Sequence, residues 1–137
     1  MALYDKTIGI LKMLFTLGEI KDHLRESSRV DPKYAYSGAY RLLGLIDQKL
    51  PGILGGDDDR AKDYFEKAIA TSPDEPLNYE FLARLLRDAF HDREKALAVA
   101  KKGLALPMPA EDRLEGREAL VSLRKLVDEL QADMGRR

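Results

Sequence analysis

The chain contains no cysteine, which excludes disulfides and thiolate metal sites. It has no tryptophan and only two histidines, His23 and His91. Neither histidine has a second His at a metal-ligand spacing, so no zinc site is expected. Without Cys, and with no His near a motif Ser, no nucleophilic triad is expected either. Neither sign of charge is in excess. The 23 Lys and Arg against 24 Asp and Glu leave a formal net charge of −1, which supplies no electrostatic reason to bind nucleic acid or an anionic membrane. Long apolar runs are also missing. The most apolar stretch, Ile8–Leu17, is interrupted by Lys12 and is too short to span a bilayer. No small-residue cleavage site follows it, so no signal peptide is expected. What remains, 137 residues with 45% hydrophobic and 34% charged, is enough for one domain with a real core. The expected location is cytoplasmic, or periplasmic if the chain is trimmed from a longer one.

The pattern throughout is helical. Ile8, Leu11 and Phe15 lie on one side of a first helix from Tyr4 to about Arg25, and Ile10, Leu14, Leu17 and Leu24 widen its apolar surface. Such a helix needs cover on two sides, from its neighbours or from another copy of the chain. Ser27-Ser28-Arg29-Val30-Asp31-Pro32 breaks the pattern, with Asp31 as N-cap and Pro32 as first residue of a second helix over Lys33–Leu50. Pro51-Gly52-Ile53-Leu54-Gly55-Gly56 reads as a loop. Asp57, Asp58 or Asp59 caps a third helix that ends at Pro73. Pro76 starts a fourth, Asp92 caps a fifth, and Pro109 with Glu111 or Asp112 begins a last one reaching about Met134. In the last helix Leu120, Leu123, Val127, Leu130 and Met134 form a dry stripe, which suits a terminal cap; a coiled-coil helix is the rival reading.

Two features look like chemistry and read better as structure. Asp57-Asp58-Asp59 lacks the distal Glu of a calcium loop, because the twelfth position is Ala68. Gly52 and Gly55-Gly56 lack the following Gly-Lys-Ser/Thr of a phosphate loop. No catalytic residue, metal or cofactor is expected, and the protein reads as a non-enzyme.

Ala61, Phe65, Ala68 and the terminal Pro73 resemble the second helix of a tetratricopeptide repeat, a helix–turn–helix unit of about 34 residues. Tyr40, Leu43 and Gly44 match its opening element, with Tyr in place of Trp and Asp47 where a Tyr is usual. Tyr79, Leu82, Ala83 and then Ala96, Ala100, Gly103 and Pro107 repeat the scheme. Gly44 and Ala61 stand 17 residues apart against about 12 in the standard repeat, so the loop is an insertion of about five residues. The expected fold is an all-α, tetratricopeptide-like solenoid of helix hairpins with about six helices. A packing helix (1–30), two units (31–73 and 74–109) and a capping helix (110–137) would make one domain.

A narrower resemblance covers Asp31-Pro32-Lys33-Tyr34, Gly38-Ala39-Tyr40-Arg41-Leu42-Leu43-Gly44, Leu50-Pro51 and Gly55-Gly56-Asp57. These segments look like the T component of tripartite ATP-independent periplasmic (TRAP) transporters, helical scaffolds thought to dock onto a solute-binding protein. The repeat resemblance implies a groove lined by Arg41, Leu42, Leu45, Gln48, Lys49, Leu77, Glu80, Phe81, Arg84, Arg87 and Asp88. Its mixture of apolar anchors and cations suits a peptide with a hydrophobic side chain and a carboxylate. The rival reading makes Arg41, Arg84 and Arg87 a solvated face paired with nearby acids. Three functions follow: a protein-interaction scaffold binding a peptide or partner in the groove; a transport accessory contacting a binding protein or small organic acid, with a hydrophobic site near Ile53 and Leu54 in the insertion loop that Pro51 opens; and a structural protein that self-associates through its first helix.

Overall fold

The computed structural model describes residues 2–136, and the side chains of residues 5–136. It is all-helical: α1 (Ala2–Val30), α2 (Gly38–Lys49), α3 (Asp58–Thr71), α4 (Pro76–Asp88), α5 (Arg93–Leu104) and α6 (Leu114–Gly135). Short 3-10 turns stand at Tyr34–Tyr36 and Gly52–Leu54. No described residue lies in a strand. Helices adjacent in sequence pack on one another, so α2 with α3 and α4 with α5 form hairpins, and α6 closes the end against α4 and α5. No helix among the described residues is long and apolar enough to cross a membrane.

Caps set several of the boundaries. Asp57, rather than Asp58 or Asp59, caps α3 by accepting from the Arg60 N–H at 3.0 Å. Asp92 caps α5 by accepting from the Lys95 N–H at 3.0 Å. Pro76 opens α4, where its missing N–H costs nothing.

Three boundaries depart from expectation. Helix α1 runs through Ser27 and Ser28 to Val30. The Ser28 hydroxyl donates back to the Arg25 carbonyl at 2.8 Å, a bond that a helix tolerates. Helix α2 starts at Gly38 rather than Lys33, because Ala35, Tyr36 and Ser37 adopt left-handed φ values of 50°, 56° and 67°. Asp31 caps no helix; its carboxylate accepts from the Lys33 N–H. The last helix begins at Leu114, after Pro109 has packed over Gly116, where a Cβ would stand 2.9 Å from the proline ring.

The core is built from small residues around one large ring. Phe65 and its neighbours Ala61 and Ala68 are fully buried. The Phe65 ring lies against Gly44, where a Cβ would come within 2.5 Å of it, and meets Phe81 edge-on at 5.8 Å. Gly103 plays the same part for Tyr79: a Cβ there would stand 2.6 Å from that of the tyrosine. Leu82, Leu85, Leu86, Leu123, Leu126, Val127 and Leu130 complete the interior.

Within its own chain, helix α1 is covered on one side. It lies on α2 with Leu14, Leu17, Lys21 and Leu24 half-buried, while Leu11 and Phe15 are 61% and 70% exposed. Its anchor is ionic. Asp47, buried in α2, accepts from Lys21 of α1 at 3.2 Å and from Arg60 of α3 at 2.8 and 2.9 Å. Burial pushes the Asp47 carboxyl up, and the bonds from Arg60 and Lys21 outweigh it, so the group sits below the ordinary aspartate value of 3.8. A depressed carboxyl stabilises the fold above its unfolded value and loses that contribution as pH falls through the folded one. Stability is therefore expected to drop below about pH 4, by up to about 1.4 kcal/mol per pH unit for this one proton. Thermal melts from pH 7 to pH 3 check this: Asp47→Asn should show a shallower acid-side fall than wild type.

Candidate functional site

The site begins with the left-handed segment. A non-glycine residue in this conformation costs about 1–2 kcal/mol, and here three stand in a row. The surrounding side chains hold them. Arg41 donates to the Tyr36 carbonyl at 2.6 Å and to the Ala35 carbonyl at 3.2 Å. Asn78, fully buried on α4, donates to the Ala68 and Ser72 carbonyls at 3.1 Å, and its Oδ1 accepts from Arg41 at 2.8 Å. The Ser37 hydroxyl meets those of Thr71 and Ser72 at 2.5 and 2.7 Å. Outside, the Arg113 guanidinium lies 3.3 Å from the Tyr36 ring centre and pairs with buried Glu75.

This arrangement opens a cavity of about 320 Å³ between α2 and α4, lined by Ala35, Gly38, Arg41, Leu42, Leu45, Leu77, Phe81 and Glu115. A shallower depression of about 380 Å³ adjoins it, sharing Ala35, Arg41 and Glu115 and adding Tyr36, Asp112, Arg113 and Leu114. The two form one site, apolar at the α2–α4 end and charged at the α6 end.

Of the groove residues expected from sequence, Arg41, Leu42, Leu45, Leu77 and Phe81 come together here. Gln48, Lys49, Glu80, Arg84 and Arg87 do not line it. Arg84 pairs with Glu80 on its own helix at 2.9 Å, and Arg87 with Asp88 at 2.7 Å and Glu129 at 3.5 Å, as the solvated-face reading has it. Arg41 is not a free surface cation: it is 8% exposed, and burial pushes its guanidinium down more than Glu75 and Glu115 pull it up. Pro51 and Ile53 are exposed on the other loop, Ile53 at 94%, with Leu54 half-buried beside them. Sequence reasoning missed Ala35, Tyr36, Gly38, Asp112, Arg113, Leu114 and Glu115 as lining residues. The left-handed turn that presents Ala35 and Tyr36 contains no Gly or Asn before Ser37 to announce it.

His91 lies outside the cavity. It sits in a tight turn at φ 53°, Asp88 is taken by Arg87, and Asp92 caps α5. No cluster of three His, Cys, Asp or Glu among the described residues could hold a metal.

A family model described as the TRAP transporter T-component matches residues 3–115. The chain belongs to the TRAP T-component family. No curated protein and no solved structure matches it. The match favours the narrower of the two resemblances, and T-components are transporter accessory proteins. The matched span takes in every residue lining the cavity. It also takes in the loop glycines of the resemblance. Gly55 has φ 97°, and a Cβ on Gly56 would meet the Leu50 carbonyl oxygen at 1.8 Å, so the T-component loop can close only with glycine there.

Proposed function

We propose that this protein is an accessory component of a TRAP-type solute transport system and that the α2–α4 cavity is where it docks a segment of the solute-binding protein. The family match over residues 3–115 carries the reading. The cavity supports it: four apolar walls, Leu42, Leu45, Leu77 and Phe81, stand beside a buried cation, a combination suited to an apolar side chain next to a polar backbone.

Leu42 tests this without disturbing the core, since it is 50% exposed. Leu42→Asp is expected to weaken capture of the purified cognate solute-binding protein at least about tenfold, roughly 1.4 kcal/mol, with the melting temperature unchanged. Biolayer interferometry reads the affinity. Equal capture by wild type and variant would remove the docking role from this cavity.

A further inference from the structure

Arg41 is almost fully buried, yet the partners of its guanidinium are all neutral oxygens: the Tyr36 and Ala35 carbonyls and the Asn78 amide. A buried cation ordinarily has a carboxylate in contact, because burial without one is costly. Buried Glu75, whose charge acts on Arg41, is already bonded to Arg113. Three bonds leave part of the five-donor guanidinium fork unused, and Arg41 lines the cavity. Glu115, exposed, lines both halves of the site together with Arg41. The far end is apolar. At about 320 Å³ the cavity is at the small end of ligand pockets, which run from about 300 to 1,000 Å³.

We infer that the cavity binds a free α-amino acid with an apolar side chain. Its carboxylate bonds to Arg41, its ammonium group pairs with Glu115, and its side chain lies among Leu42, Leu45, Leu77 and Phe81. A simple fatty acid would satisfy Arg41 and leave Glu115 facing an anion. A simple amine would do the reverse. Only a zwitterion with an apolar tail meets all three parts. The inference rests on the α2–α4 cavity being the working site of the protein; the amino acid and a docked segment would use the same apolar walls, so they occupy it in turn and not together.

Isothermal titration calorimetry on the full chain tests it with four probes: L-leucine, 4-methylpentanoate (no ammonium), 3-methylbutylamine (no carboxylate) and glycine (no side chain). Leucine is expected to bind, and each of the other three at least about tenfold more weakly. Glu115→Gln, a change at an exposed position, should reduce leucine to the level of 4-methylpentanoate. No heat with leucine up to about 10 mM, equal binding of leucine and 4-methylpentanoate, or an unchanged leucine affinity in Glu115→Gln would each overturn it. The docking reading fails separately. Solute-binding protein captured by wild type and lost in Leu42→Asp, with no leucine heat, overturns the amino-acid site alone. Leucine binding with capture indifferent to Leu42→Asp overturns docking alone.

Discussion

Asn78→Leu is expected to destabilise the protein by about 3–5 kcal/mol, among the largest effects available to one substitution. Leucine matches the volume roughly but has no polar atoms. The change would take the Asn78 amide from the Ala68 and Ser72 carbonyls, which keep the Ser72 and Glu75 N–H groups, and would remove the one side-chain oxygen that Arg41 holds, leaving that charged N–H without a partner. Each buried group left without a partner costs about 1–3 kcal/mol, and more for a charged one. The Arg41 guanidinium would have only the Ala35 and Tyr36 carbonyls left, so the left-handed turn would lose part of its support as well. Urea denaturation followed by circular dichroism measures the loss. A change below about 1 kcal/mol would mean that water takes over the Arg41 N–H, and that Asn78 is not the keystone of the turn.

Phe65→Ala is expected to cost about 3–5 kcal/mol, from the lost transfer energy of the ring and the cavity left behind. Phe65 is fully buried between the two hairpins, against Gly44 of α2 and Phe81 of α4. The partnership with Gly44 gives a sharper test. Gly44→Ala alone should destabilise by about 1–3 kcal/mol, because its methyl would enter the ring and overpacking is not relieved by a rigid aromatic. In the Phe65→Ala background that methyl has space, and alanine is the better helix former by about 1 kcal/mol. The double variant should therefore be more stable than the two single losses predict together. A double-mutant cycle reads the coupling directly; strict additivity would show that Gly44 does not exist to admit the ring.

The helices were legible because their signals are local. Asp57 and Asp92 occupy their cap positions, Pro76 stands in the first turn of its helix, and the small residues Ala61, Ala68, Ala83, Ala96, Ala100 and Gly103 are buried where their spacing placed them. The groove was half legible. Arg41, Leu42, Leu45, Leu77 and Phe81 are among the residues that the repeat resemblance implied, and they line one cavity. The other half depends on the chain before α2, which reads as helix from Lys33 because Pro32 is a good first residue. It is turned into a left-handed corner by Arg41 and Asn78, the latter 37 positions beyond Arg41. No local propensity reports a bond of that length in the chain.

By itself the amino-acid sequence determined an all-α chain, its six helices, the glycines at the two close approaches and the absence of thiolate chemistry. Each follows from periodicity, capping or side-chain volume, which act within a few residues. The tertiary structure decided which cations are free and which are tied, that α1 is covered on one side within its own chain, and that Arg41 and Glu115 share one cavity. These depend on burial and on contacts between distant helices, where desolvation decides what a charge can do.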